Sequence, residues 1–380
     1  MAARQATLQV RANRLPSLTA NLTAVGTGDD NTRLAAINAI NNPIIFDRAA
    51  AGVSLNQVIT DFGRSANLVE SARDNERAQV AATNAVRGKL LLATSSAFFA
   101  VQQSQAILQV ARETVQARNT QLEQVTALAR NQLRSDLDVS FAQVGLEESR
   151  LLEARAENDR LAACLVLGGL LGIPDAPNFH LAEVAIPTPP PANLTPWIAA
   201  ALQNHPEIQR LRAELSSQQK LAKSHRAARW PTVSLVGSAG VVPWRDDRLE
   251  ESFTAGGFVL NLPILSGGRD VARQREAELK ARATEATLAD ETEHLVRQIE
   301  LTALKVQHAH DRRRMTERLI EHARTAAELA EARYRVGSSS ITELGQAQLN
   351  LTTARLAEAS ARYEYLSLHA ALTTLTPGRP

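Results

Sequence analysis

Asp61-Phe62-Gly63-Arg64 is echoed by Ser266-Gly267-Gly268-Arg269, and Ser140-Phe141-Ala142-Gln143 by Gly345-Gln346-Ala347-Gln348, both at an offset of 205 residues. An offset that holds without a gap over some eighty residues marks duplication of one long unit. Upstream, Arg14-Leu15-Pro16-Ser17-Leu18 pairs with Arg229-Trp230-Pro231-Thr232-Val233 at offset 215, so only the loop between these anchors changes length. Each copy reads as strand, loop, strand, very long helix, turn and return helix. The first copy spans residues 1–171 and the second 205–380. Between them, residues 172–204 hold Pro174, Pro177, Pro187, Pro189, Pro190, Pro191 and Pro196, the composition of a stiff linker.

The strands show a period of two. Leu18, Ala20, Leu22 and Ala24 alternate with Thr19, Asn21 and Thr23, which predicts a strand near 17–25 with one apolar and one polar face. Val53 and Leu55 predict a second near 51–59. Val233 and Leu235 open a third near 232–240 that fades at Gly237. Phe258, Leu260, Leu262 and Ile264 predict a fourth near 256–265. The loops Gly26 to Ala50 and Gly240 to Ser252 join the paired strands at one end of the molecule. Even the narrowest closed barrels use about 8 strands. Four therefore form either a small open sheet or part of a barrel shared by several chains.

The rest is helix. From Ser65 to Asn131 there is no proline and one glycine, Gly88; from Asp270 to Arg335 there is neither. Helices over 65–131 and 270–335 would each reach roughly 100 Å at 1.5 Å per residue. Return helices are expected over 138–171 and 341–375, and a shorter helix over 205–229 before the third strand. Val101, Leu108, Val115, Leu122 and Ala129 recur every seventh residue. Leu344, Ala347, Leu351, Ala354, Ala361, Tyr365, Leu368, Leu372 and Leu375 follow steps of three and four interrupted only by Glu358, a coiled-coil seam with alanines that let helices approach closely. The fold class is thus mainly α with a small β part.

Composition narrows the function. Aromatic residues make up 4%, low for several large globular cores, and 42 basic residues against 40 acidic ones are spread without a stripe that would suit nucleic acid. Cys164 is the only cysteine, so there is no internal disulfide and no cysteine metal motif; it reads as a small buried helix residue. The longest apolar run, Leu161 to Ile173, falls well short of the ~20 residues that a membrane helix needs. Met1-Ala2-Ala3-Arg4-Gln5 leads into polar sequence rather than an export signal. The helix before Leu15-Pro16 is short against its counterpart before Trp230-Pro231, so an upstream extension carrying such a signal is expected. His308 and His310 are two apart and point to different helix faces, unlike the i, i+4 spacing of a helical metal pair. Arg312-Arg313-Arg314 marks a solvated face. Gly267-Gly268 precedes a helix without the remainder of a phosphate-binding motif and reads as a strand-to-helix turn. No nucleophile, base or paired-carboxylate arrangement suggests an enzyme, and no cofactor is implied.

Ala332-Arg333-Tyr334-Arg335-Val336-Gly337-Ser338-Ser339-Ser340-Ile341-Thr342-Glu343-Leu344-Gly345-Gln346-Ala347-Gln348, followed by Ala361-Arg362-Tyr363-Glu364-Tyr365, closely resembles the last helical hairpin of the TolC-like outer-membrane efflux proteins. That hairpin has an RY-x-x-G tip, then an acid-hydrophobic-x-x-Ala element and an aromatic-bearing return helix. The likeness extends to His205-Pro206-Glu207, Trp230-Pro231 and Leu265-Ser266-Gly267-Gly268-Arg269, and so covers nearly all of the chain.

The resemblance implies a homotrimer in which each chain gives four strands to a twelve-stranded outer-membrane barrel, in contact with outer-membrane lipid, and its helices to a periplasmic tunnel. It further implies a passive exit duct of an efflux or type I secretion system that docks through its tips onto a periplasmic adaptor and is driven by an inner-membrane transporter. Tyr334 and Glu343 match the family's gating tyrosine and acid. Ser339 stands where the family can carry an arginine, and Gln346 where it can carry a second acid. The docking tips would be Leu133, Arg134, Ser135 and Asp136 on the first hairpin and Val336, Gly337 and Ser338 on the second. The first tip keeps Asp138-Val139 and Ala142 but has Gln132 where the usual glycine sits. Two plainer readings compete. A soluble coiled-coil scaffold would account for the helices but not for the paired strands, and Tyr334 and Glu343 could simply pack the hairpin and cap its return helix.

Overall fold

The computed structural model describes residues 1–25, 48–173, 179–245, 247 and 249–378. The elements run α1 (Ala2–Ala12), β1 (Ser17–Val25), β2 (Arg48–Thr60), α2 (Arg64–Arg130), α3 (Asp136–Leu171), α4 (Thr195–Asn204), α5 (Pro206–Ala227), β3 (Thr232–Arg245), β4 (Ser252–Asn261), α6 (Arg269–Arg335) and α7 (Ile341–Leu375). They group into two compact units. One comprises Met1–Ala82 with Gln209–Asp290 and the other Thr83–Ile208 with Glu291–Pro380, so each takes a segment from both halves of the chain.

The first unit holds the sheet. Its strands lie in the order β1-β2-β3-β4, all antiparallel. Ser17 opposes Asn56 and Thr232 opposes Asn261, so both hairpins start from the same register at their helix-proximal ends. Because side chains alternate across a strand, this register collects Leu18, Ala20, Leu22, Val53, Leu55, Val233, Leu235, Phe258 and Leu260 on one face. Of these, Leu22 is 84% and Phe258 74% exposed, values that leave the apolar face uncovered within the chain. The opposite face carries Ser17, Thr19, Asn21, Ser54, Asn56, Ser234 and Ser238, and Asn21 donates to the Ser54 hydroxyl at 3.1 Å.

β3 does not fade at Gly237 but continues to Arg245. Its small residues break the alternation legible in sequence, yet they serve the packing. A methyl on Gly240 would stand 2.6 Å from the Phe253 ring and 2.5 Å from the Ala51 carbonyl oxygen, so the bare backbone makes room for an aromatic ring from β4. β2 likewise begins at Arg48, ahead of the expected start, because Ala49-Ala50-Ala51 gives no periodic contrast. β4 ends at Asn261, ahead of Pro263, which has no N–H to contribute to a ladder, so Leu262 and Ile264 fall outside the strand. Most of the loop expected over Gly26 to Ala50 lies outside the described residues, as do Asp246 and Arg248 in the second loop.

Helix packing in this unit uses hydroxyls. Ser217 on α5 donates to the Ser71 carbonyl oxygen of α2 at 2.9 Å, Ser216 to Asp74 at 2.6 Å, and Ser224 to the Arg64 carbonyl at 3.0 Å; Thr7 ties α1 to the Ala72 carbonyl at 3.3 Å. Small residues on facing helices bring the backbones close enough for these bonds.

In the second unit the coiled-coil seam of α7 buries Leu344, Ala354, Ala361, Tyr365 and Leu372. Elsewhere in the unit Phe99 packs with Tyr363 and Leu366, and Leu108 and Ala111 with Ala156. Cys164 sits with Ala97, Val101 and Leu167 in a dry cluster. The proline-rich stretch is more than a linker. Phe179 and Leu181 pack onto that cluster, Gln102 donates to the Ala182 carbonyl at 2.7 Å and Gln105 to the Phe179 carbonyl at 3.0 Å, and the Tyr365 hydroxyl donates to the Pro187 carbonyl at 2.8 Å. The segment is therefore strapped to α2, α3 and α7, and its last ten residues form α4, with Pro196 in the first turn where proline costs no hydrogen bond. Pro174 and Pro177 lie outside the described residues.

Candidate functional site at the hairpin tips

Two tips, α2–α3 and α6–α7, repeat one backbone design at the 205-residue offset. At the first, Leu133 N–H bonds the Leu128 carbonyl at 3.0 Å and Gln132 N–H the Ala129 carbonyl at 2.8 Å; at the second, Ser338 bonds Arg333 at 2.9 Å and Gly337 bonds Tyr334 at 3.0 Å. This is the Schellman closure of a helix, which requires a left-handed residue. Gly337 supplies it with φ +79°, and Gln132 adopts φ +60° in the same place. The missing glycine thus leaves the tip geometry unchanged and loads it with strain.

The return helices also start alike. Ser135 accepts from the Asp138 N–H at 3.2 Å, and the Asp138 carboxylate accepts from the Ser135 N–H at 3.4 Å, forming a capping box. Ser340 accepts from the Glu343 N–H at 3.2 Å, but the Glu343 carboxylate turns outward to Arg333 at 2.9 Å.

The four residues expected at the gate are engaged separately within one chain. Tyr334 is 5% exposed in a cluster of Val125, Ala142, Ala330, Ile341 and Leu344. Glu343 pairs with Arg333, Ser339 donates to the Ala330 carbonyl at 3.5 Å, and exposed Gln346 donates to Asn350 at 2.9 Å. What joins the tips is Arg134. Its guanidinium lies 4.3 Å from the centroid of the Tyr334 ring and donates to the Tyr334 carbonyl oxygen. Cation–π attraction and a charge-assisted hydrogen bond act together there. The Tyr334 hydroxyl is buried, with the Arg134 guanidinium near it. Burial, helped by the charge of Asp138, pushes this phenol above its ordinary range, while Arg134 opposes the shift.

The sequence reading had Arg134 only as a docking residue. Its equivalence to the second tip was legible in the repeat: Arg134 is the 205-residue counterpart of Ser339, so the arginine absent from the second tip stands at the same place in the first. Arg118, also missed, reaches from α2 to Gln348 on α7 and to Gln121 at 3.2 Å, with its guanidinium 3.5 Å from where a Cβ on Gly145 would stand. Burial holds this arginine below its usual range, while Glu148 pulls it back up. The outer surface of the tips is apolar and open: Leu133, Leu137 and Val336 are exposed, and Phe141, Val144 and Leu349 line a groove between α3 and α7 beside Gly145 and Gly345. Ser135, Asp136, Gly337 and Ser338 are exposed around it. Among the described residues no group of three His, Cys, Asp or Glu is placed to hold a metal ion, and no helix is long and apolar enough to cross a membrane.

A four-stranded antiparallel sheet with a bare apolar face, in a chain with two very long helical hairpins, defines the barrel-and-tunnel channel class. The description Outer membrane efflux protein matches residues 1–173 and 197–378, and the chain belongs to that family. Its sequence is 28% identical over 245 residues to the probable outer membrane lipoprotein SilC of Salmonella typhimurium, covering 60% of this chain and 50% of SilC. It is 25% identical over 254 residues to the alkaline protease secretion protein AprF of Pseudomonas aeruginosa, covering 64% of this chain and 51% of AprF. The chain spans about half the length of these curated relatives. Its fold is similar to that of CusC, with a TM-score of 0.85 and 20% identity over 99% of this chain and 86% of CusC. It is similar again to the outer membrane protein VceC of Vibrio cholerae, with a TM-score of 0.84 and 19% identity over 100% of this chain and 91% of VceC.

Proposed function

We propose that three copies of this chain form a passive outer-membrane channel that conducts cargo from the periplasmic side to the exterior as the exit duct of a tripartite efflux or secretion system. The observation that carries this is the sheet. Among the described residues its apolar face is uncovered and its outer strands, β1 and β4, each have one unpaired edge. In a bilayer such edges leave backbone groups without partners at several kcal/mol each, whereas pairing β4 of one copy with β1 of the next closes a barrel of twelve strands. The apolar face then meets lipid and the polar face lines the pore. The relatives' names span a lipoprotein and a protease secretion protein, which supports a duct whose cargo is chosen by the attached inner-membrane transporter.

The tips are proposed to be both gate and docking surface. Arg134 on Tyr334 holds the two hairpins of one chain together, and Glu343, Ser339 and Gln346 lie on the same hairpin as Tyr334. The exposed apolar residues of the tips and the groove between α3 and α7 suit the helical hairpin of a periplasmic adaptor. Single-channel recording of the full-length protein in planar bilayers tests the reading. Wild type should conduct in small, mostly closed steps, and Arg134→Ala should raise conductance more than Glu343→Ala because it removes the contact between hairpins. Equal low conductance in all three, with oligomers intact, would count against these residues as the gate.

A further inference from the structure

The sheet meets the helices at a notch that nothing in the channel's transport role uses. Trp230 and Pro231 lead into β3, Phe62 follows β2 and Leu262 follows β4; with Arg226 and Arg229 at the end of α5 they line one open groove. Leu262 continues the apolar alternation of Phe258 and Leu260, so the groove extends the apolar face of the sheet. Phe62 and Trp230 pair with ring centroids 5.8 Å apart, which fixes an aromatic floor although both are more than half exposed. Arg226 and Arg229 are exposed, and neither makes an ion pair or side-chain hydrogen bond among the described residues. The acids that act on His225 beside Arg226 have other partners: Glu276 pairs with Lys280 at 2.6 Å, and Asp270 lies 3.6 Å from Arg269.

Two unneutralised guanidinium groups above an aromatic and aliphatic floor, at the end of an apolar sheet, have the chemistry of a bilayer interface. We infer that this groove binds the phosphate headgroup of an anionic phospholipid in the periplasmic leaflet, with the acyl chains running onto the apolar face of the sheet. The inference rests on the outer-membrane reading above. A guanidinium takes a phosphate diester through paired N–H donors, and Trp230 suits the headgroup level because its ring is apolar and its indole N–H polar. A zwitterionic lipid offers the same phosphate but brings its own cation to the two arginines, so charge sets the preference.

Tryptophan quenching by brominated lipid tests this on the full-length protein reconstituted in vesicles. In a Trp197→Phe/Trp230→Phe variant, Trp244 in β3 reports whether the sheet is in the bilayer at all, by quenching with brominated phosphatidylcholine. In a Trp197→Phe/Trp244→Phe variant, Trp230 reports the groove. A minor fraction of brominated phosphatidylglycerol should quench Trp230 at about ten-fold lower mole fraction than brominated phosphatidylcholine, a preference that weakens with salt. Arg226→Gln/Arg229→Gln should abolish the preference, Arg314→Gln/Arg318→Gln on α6 should keep it, and excess inorganic phosphate should not compete. An unquenched Trp244 would sink the membrane reading itself. A quenched Trp244 with no lipid preference at Trp230, with Trp230 shielded from both lipids by a neighbouring copy, or with free phosphate displacing the effect, overturns the headgroup site alone.

Discussion

Gln132 and Phe62 hold left-handed backbone, φ +60° and +53°, at places where the second half of the chain has Gly337 and Gly267. A side chain there costs about 1 kcal/mol. Gln132→Gly should therefore raise stability by roughly that amount, and Gly337→Ala should lower it by a similar amount, read as opposite shifts of the thermal midpoint. Phe62 is different, because the ring that strains the backbone also pairs with Trp230; Phe62→Gly exchanges strain for a lost aromatic contact. The protein's three tyrosines, Tyr334, Tyr363 and Tyr365, are all pushed above the ordinary phenol range by burial. A raised phenol pKa means the folded state keeps protons that the unfolded chain has lost, so this stability is fully present below the unfolded value of about 10 and falls as pH rises through the folded values. Ultraviolet titration of the folded protein should find no tyrosine ionising at the ordinary value, and Tyr334→Phe should flatten part of the alkaline loss. The residue types of the proposed gate could be read from sequence, as could the 205-residue equivalence of Arg134 and Ser339. That Arg134 bridges to Tyr334 could not, because contact between separate hairpins depends on how the helices pack.

At the scale of elements, the strap and β3 were the least visible in sequence. Prolines read as a stiff linker between the copies, yet their carbonyls are fully available as acceptors, and Tyr365 uses that of Pro187. Tyr365→Phe should cost about 1 kcal/mol of stability through that bond, and limited proteolysis should cut the 179–194 segment sooner in the variant. In the sheet, the glycines that obscured β3 follow a spatial logic. At Gly240 an added methyl meets backbone at 2.5 Å, whereas nothing lies within 4 Å of one on Gly257. Gly240→Ala should reduce the yield of assembled protein while Gly257→Ala leaves it unchanged, by chromatography in detergent. The long helices were legible because they lack helix breakers and keep a seven-residue repeat. The ends of the strands were not, because alanine and glycine carry no hydropathy contrast.

For the whole molecule, the doubled sequence and the doubled structure agree in detail. The turn after β2 closes with Arg64 N–H on the Asp61 carbonyl at 3.2 Å and Asn67 on Gly63 at 2.9 Å; the turn after β4 repeats this with Arg269 on Ser266 at 3.2 Å and Ala272 on Gly268 at 2.9 Å. Two copies give four strands, and four strands expose a bare apolar face and two free edges. We propose that a chain built this way completes itself by association with two further copies. The most direct test is the mass of this chain in mild detergent, by light scattering with the detergent contribution subtracted. Three chains of 41.2 kDa each are predicted, and a well-behaved single chain that stays soluble without detergent would contradict the account.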